Sequence, residues 1–157
     1  MISVDLVGPL PNSCGYKYCL TAEDCFTKFI MLRPLRDKTA LHVAQALMQI
    51  FLQHGFYRVV KSDNGGEFIC ALQVELDKLV QSVRFTTLPY TPKQNSIERS
   101  NRTLQSMIGK AIDKHAQWSS VLSYIAFVYN STVHKSTGFT PHLLHYGREL
   151  PNSVICC

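Results

Sequence analysis

Three acidic residues stand where strand ends and a helix start could bring them together. Asp5 lies inside the apolar run Ile2 to Val7. Asp63 closes the run Arg58 to Ser62 and is followed by Asn64-Gly65-Gly66. Glu98 opens a long amphipathic stretch just after Pro89 and Pro92. The two glycines allow a sharp turn that leaves a carboxylate exposed at a strand end, and ligands of α/β sheets gather where strands stop. If the strands bearing Asp5 and Asp63 are neighbours and the helix start sits above them, three carboxylates converge. Converging carboxylates repel one another unless a cation lies between them. Oxygen-only ligation with no supporting His or Cys suits Mg²⁺ or Mn²⁺. Two such ions about 4 Å apart can activate an attacking oxygen and stabilise a leaving one in a phosphodiester displacement. Spacing alone nevertheless favours the plainer alternative, isolated structural carboxylates.

The elements that must position these residues are legible as periodicity. Ile2 to Val7, Tyr16 to Ala22 and Lys28 to Leu32 read as strands, with turns supplied by Gly8-Pro9 to Gly15 and by Glu23 to Thr27. Leu41, Ala44, Leu47, Met48 and Phe51 predict one stripe of a helix ending near Gly55. A strand from Arg58 to Ser62, a helix from about Glu67 to Val80 and a strand from Arg84 to Leu88 follow. From about Ser96, Ile97, Leu104, Ile108, Ala111 and Ile112 describe the apolar face of a long helix. On that helix Glu98, Asn101, Arg102 and Gln105 fall at i, i+3, i+4 and i+7 and share the opposite face. Two more helices are predicted, Trp118 to about Tyr129 and Thr140 to about Tyr146. The order of elements predicts a mixed sheet with helices packed on it.

A chain of 157 residues with 46% hydrophobic and 17% charged residues has the size and composition of one folded domain and excludes disorder. No run reads as membrane-spanning, because the longest stretch without Lys, Arg, Asp or Glu, Thr39 to Tyr57, carries His42, Gln45, Gln49, Gln53 and His54. The start lacks a basic n-region, so no secretory signal is expected. The six cysteines include no Cys-x-x-Cys pair and are expected to be free thiols. The closing Cys156-Cys157 is read as a fragment end rather than a lipidation tail. The net charge of +5 is uneven: residues 1 to 78 balance to zero, and residues 79 to 157 carry eight basic and three acidic side chains. Charge alone suits a solvated face as well as a phosphate-binding one.

The residues around the three carboxylates are more specific. Val4-Asp5-Leu6-Val7-Gly8-Pro9, Ser62-Asp63-Asn64-Gly65-Gly66-Glu67-Phe68 and Pro89-Tyr90-Thr91-Pro92-Lys93-Gln94-Asn95 are followed by Ile97-Glu98-Arg99 and Asn101-Arg102-Thr103-Leu104. Thr27-Lys28-Phe29, Tyr129-Asn130-Ser131, Ser136-Thr137-Gly138-Phe139-Thr140-Pro141 and Tyr146-Gly147-Arg148 extend the pattern over nearly the whole chain. In this order they resemble the catalytic core of retroviral-type integrases, above all those of gypsy-type LTR retrotransposons. The resemblance implies an RNase H-like α/β fold with a mixed five-stranded sheet flanked by helices. It implies residues 1 to 157 as one catalytic core, without the family's zinc-binding N-terminal and DNA-binding C-terminal domains. It also implies a DDE polynucleotidyl transferase in which Asp5, Asp63 and Glu98 hold two Mg²⁺ or Mn²⁺ ions and process and join DNA 3′ ends. Asn95, Asn101, Arg102 and Gln105, with Lys93 and Arg99, become the candidates for DNA contact. The implied partners are element-end and target DNA and further copies of the chain, with no membrane and no small-molecule substrate. The implied site of action is the nucleus after passage through the cytoplasm.

One departure bears on activity. Positions 64 to 97, 34 residues, separate Asp63 from Glu98, one fewer than the family's usual spacing, and the glycine usual after Asn95 is Ser96. The register from Glu98 to Leu104 is kept, so the loop is expected to absorb the loss; absorbed by the helix, it would turn Glu98 by about 100°. The alternative reading is a catalytically inactive, decayed or host-recruited module that binds DNA or a protein through the same fold.

Four other features have plainer readings. Asp24 reads as a turn or capping residue, and Glu67 as an acid favoured by a helix N-terminus. His142 and His145, close in sequence to Cys156 and Cys157, fit no standard zinc spacing and read as surface histidines. Trp118 reads as core rather than as a base-stacking platform.

Overall fold

The parity of the first strand organises the molecule. In β1 (Ile2–Val7) the side chains of Ile2, Val4 and Leu6 join one apolar cluster and Val7 joins another, as the two-residue period of a strand requires. β1 pairs antiparallel with β2 (Tyr18–Asp24), which pairs antiparallel with β3 (Ile30–Leu35). On its other side β1 runs parallel to β4 (Val59–Ser62), which runs parallel to β5 (Thr86–Pro89). The result is a mixed sheet in the order β3-β2-β1-β4-β5. The structure is a computed structural model that describes residues 1–62, 65–79, 86–89, 95–114 and 117–150.

Helices cover both faces of the sheet. α1 (Ala40–His54) and α2 (Gly65–Leu79) supply Val43, Ala44, Leu47, Ile50, Phe51, Leu72 and Leu76 to the core beneath Ile2, Val4, Leu20, Ala22 and Val60. α3 (Asn95–Lys114) and α4 (Trp118–Ser131) supply Leu104, Ile108, Trp118, Leu122, Ile125 and Tyr129 to the opposite core, on Cys19, Ile30 and Leu32. A short α5 (Pro141–Tyr146) starts on Thr140, whose hydroxyl accepts from the Leu143 amide, and stops at Gly147 in the left-handed region.

The expected elements all occur, with shifted ends. β2 and β3 begin two residues later than their patterns suggest, and α2 begins at Gly65 rather than Glu67. The α1 stripe is corrected: Leu41 is 45% exposed, while Val43, Ala46 and Ile50 are buried instead. Trp118 is core, 1% exposed, and its indole Nε1 donates to the Pro11 carbonyl at 2.6 Å. The loop before β2 is tied to α4 again through Ser13, whose Oγ accepts from the Ser119 amide at 3.2 Å. At the end of β1, Gly8 has φ +144°, and a Cβ there would meet Tyr18 Cδ1 at 2.6 Å and the Lys17 carbonyl at 2.8 Å. The turn out of β1 therefore requires glycine. Of the six cysteines, Cys14, Cys19, Cys25 and Cys70 are free thiols; burial pushes the Cys19 thiol up to about 12. Among the described residues no helix is long and apolar enough to cross a membrane.

The edge strand β3 is held by a side chain rather than by another strand. Asn130, buried in α4, accepts from the Ile30 amide and donates to the Ile30 carbonyl, both at 2.9 Å. Asn130→Ala leaves both backbone groups without this partner and should cost about 2–4 kcal/mol, a fall of roughly 5–10 °C in melting temperature. Urea and thermal unfolding measure it directly, and a loss below about 1 kcal/mol would mean that water replaces the clamp.

Candidate functional site

Asp5 sits on the face of the sheet that α3 and α4 cover. Its parity is that of Ser3 and Val7, opposite to Ile2 and Val4, and Val7 packs with the α3–α4 core. Its carboxylate is half-buried, and Oδ1 accepts from the Leu6 amide at 2.7 Å, which fixes the side chain against the strand. The neighbouring Thr21, paired with Asp5 across β1 and β2, donates from Oγ1 to the Asp5 carbonyl at 3.2 Å. β1 and β4 are paired in parallel through Val4 and Ser62. Asp5 is the residue after the first of these, and Asp63 follows the second in the chain.

Asp63 and Lys93 lie outside the described residues. Glu98, Asn95, Asn101 and Arg99 belong to α3, and their side chains are outside the described residues as well. α3 is unbroken from Asn95 to Lys114, with Leu104 and Ile108 buried and Arg102 and Gln105 exposed. Helical geometry sets position 98 about 40° from Arg102 and about 20° from Gln105. The helix thus carries position 98 in its first turn, away from the face that enters the core. Among the described residues no three His, Cys, Asp or Glu gather to hold a metal ion.

Two residues not anticipated from sequence occupy the same face. Ser3 pairs with Glu23 on one side and Lys61 on the other, and Glu23 and Lys61 are 4% and 7% exposed. Lys28 Nζ stands 3.4 Å from Glu23 Oε1. Two buried charges thus flank Ser3, two residues from Asp5 on the same face. Their signal in the sequence is a charge directly after an apolar run, Ala22-Glu23 and Val60-Lys61.

The plainer readings fare unevenly. Asp24 closes the β2–β3 turn: Oδ1 accepts from the Phe26 amide at 3.1 Å and Oδ2 from the Thr27 hydroxyl at 3.0 Å. The Glu67 side chain lies outside the described residues. His145 is not a surface histidine. It stacks on Phe29 with ring centres 4.1 Å apart, beside His54 and 4.0 Å from Asp24, because α5 folds back over the end of α1. Tyr146 bridges the same cluster, its hydroxyl 3.0 Å from His54 Nδ1. His142 Nδ1 lies 3.1 Å from the Arg148 carbonyl.

Comparison with known proteins places the whole arrangement. The family model described as integrase core domain matches residues 1–94. The human gypsy retrotransposon integrase-like protein 1 is 29% identical over 151 residues, covering 95% of this chain. The retrovirus-related Pol polyprotein from transposon 412 of Drosophila melanogaster is 31% identical over 152 residues, covering 94%. The chain spans 29% of the length of the human relative and 12% of the fly polyprotein. Among solved structures, the catalytic core domain of BIV integrase superposes with a TM-score of 0.71 at 21% identity, covering 93% of each chain.

The histidine cluster makes stability depend on pH. Burial holds His54 below the ordinary value of 6.5, helped by the charges of His145 and Arg33. Burial also lowers His145, against the opposing pull of Asp24. The unfolded chain takes up protons near pH 6.5 while the folded one resists, so stability is full above that value and falls as pH drops towards the depressed native values. Melting at pH 5.5 should come below melting at pH 7.5. His145→Phe, which keeps the ring stack without a titrating nitrogen, should reduce that difference; an unchanged difference would assign it to other groups.

Proposed function

The chain belongs to the integrase core domain family, and we propose from that premise that it is a metal-dependent polynucleotidyl transferase core that processes and joins DNA 3′ ends. One observation carries the reading. The parity of β1 turns Asp5 to the sheet face under α3, and its parallel pairing with β4 ends one residue short of Asp5 on one strand and of Asp63 on the other. Carboxylate oxygen donors suit a hard cation. Asp5, Asp63 and Glu98 would hold two Mg²⁺ or Mn²⁺ ions, which when bound supply activation of the attacking oxygen and charge stabilisation at the leaving oxygen.

The chain's own residues then have defined tasks. The Leu6 amide and the β1 pairing hold Asp5 so that its carboxylate need not be ordered at the moment of reaction. Arg102 and Gln105, both exposed on α3, contact the DNA backbone beside the reacting phosphate, with Asn95, Asn101, Lys93 and Arg99 as their neighbours in sequence. These contacts position the strand without reading its sequence. Water attacks in end processing and the freed 3′-OH attacks in joining, so no side chain acts as nucleophile. Element-end and target DNA are the proposed partners, a homodimer or higher oligomer the working form, and the nucleus the place of action.

A disintegration assay on branched DNA with Mn²⁺ tests this, since it asks for core chemistry alone. The parent chain should rejoin the substrate, and Asp5→Asn and Asp63→Asn should each lose at least about 100-fold, the rate worth of a few kcal/mol of charge stabilisation. Folded, DNA-binding protein that rejoins nothing would favour the non-catalytic module instead.

A further inference from the structure

A groove of about 710 Å³ runs between α3 and the segment that follows α4. Arg102 and Met107 line it from α3, Val128 from α4, and His134, Lys135 and Ser136 from the segment beyond. No carboxylate is among its described lining residues, and Arg102 and Lys135 are both exposed. The groove shares Arg102 with the exposed face of α3 and lies in the half of the chain that holds the whole net charge. Met107, Val128, Tyr129 and Val133 add apolar lining to it.

The segment beyond α4 is built as a closed turn. The His134 amide donates to the Phe139 carbonyl at 3.0 Å, and the amides of Thr137 and Gly138 donate to the His134 carbonyl at 3.2 and 2.9 Å. Gly138 takes φ +74°, which closes the turn. The His134 ring is set within it: Nδ1 accepts from the Ser136 amide at 3.3 Å and lies 2.9 Å from the Ser136 hydroxyl. With Nδ1 accepting, the proton of the neutral ring is on Nε2, which becomes a directional donor. Burial and the charge of Lys28 hold His134 below the ordinary imidazole value, so the neutral ring is the form present at pH 7. Lys135 projects from a turn already ordered, which lowers the entropy cost of using it.

We propose that this groove grips a DNA phosphodiester backbone, with Arg102 and Lys135 as its charged contacts and His134 Nε2 as a hydrogen-bond donor to phosphate oxygen. The proposal rests on the integrase-core reading and extends it. The strand lying along the α3 face continues into the groove, and the turn after α4 sets the direction in which it leaves.

The test is fluorescence anisotropy of the folded chain with a labelled branched duplex, titrated at several salt concentrations. Lys135→Ala should weaken binding roughly 3- to 10-fold at 0.1 M salt and reduce the slope of log K against log salt by about 1. Lys135→Glu should weaken it further, and Lys135→Arg should restore it. Circular dichroism melting should be unchanged in all three, because residue 135 is exposed on a turn. A photo-crosslinker at position 135 should label DNA. Parent binding that none of these variants moves overturns the groove and leaves the integrase reading standing. A parent chain that binds no DNA overturns the integrase reading, and the groove with it. A poly-glutamate peptide bound in a Lys135-dependent way, with DNA binding unaffected by Lys135, overturns the groove as a DNA site and makes it a protein site.

Discussion

The pairing of β1 decides which face of the sheet each other element can use. Among the described strands it alone is antiparallel to one neighbour and parallel to the other, so it joins the hairpin half of the sheet to the crossover half. A slip of one residue in either pairing would exchange Ile2 and Val4 for Ser3 and Asp5 beneath α1. That would place a carboxylate in an apolar core and two branched side chains on the polar face. The cost of burying an unpaired carboxylate is several kcal/mol, so the register that builds the core is the register that presents Asp5. Gly8 ends the strand one residue after Val7, where no side chain fits, and so fixes its length as well.

The face presented to α3 is not optimised for stability. Glu23 and Lys61 are buried charges on the face of Asp5, with part-buried Lys28 3.4 Å from Glu23, and ion pairs taken out of water gain little over an apolar core of the same shape. The opposite face shows the contrast, since Leu20, Ala22, Met31 and Val60 meet α1 and α2 with apolar surface alone. The compensation on the α3 side comes from α4. Trp118 is buried and bonded to Pro11, Ser119 is capped by Ser13, and Asn130 closes the open edge of β3. A helix distant from the carboxylates in sequence thus holds the sheet on which they depend.

Much of this was legible before any fold was known. Alternation in Ile2 to Val7, the 3.6 period around Leu104 and Ile108, and the Gly-Gly after Asp63 each report a local backbone choice. What was misread depends on tertiary contacts. Leu41 keeps the helical spacing of α1 but sits exposed in its first turn, and the buried face includes Val43 and Ile50 instead. His145 looked like a surface residue because its partner Phe29 is more than a hundred residues away. Glu23 reads in sequence as the start of a turn, whereas β2 continues to Asp24, and only the sheet order reveals that Ser3 lies between Glu23 and Lys61.

The long helix α3 takes its phase from its buried side. Its core side is anchored at Leu104 and Ile108, about two and a half and three and a half turns into the helix, and its start at Asn95 precedes position 98 by less than one turn. The anchor therefore sets the helical phase from the C-terminal side, and the phase at position 98 follows from it without reference to the length of the preceding loop. Leu104 is 1% exposed and Arg102 is open to solvent. The same rigid phase carries Arg102 to the edge of the groove beyond α4, so a single anchored helix coordinates the candidate catalytic face with the basic surface next to it.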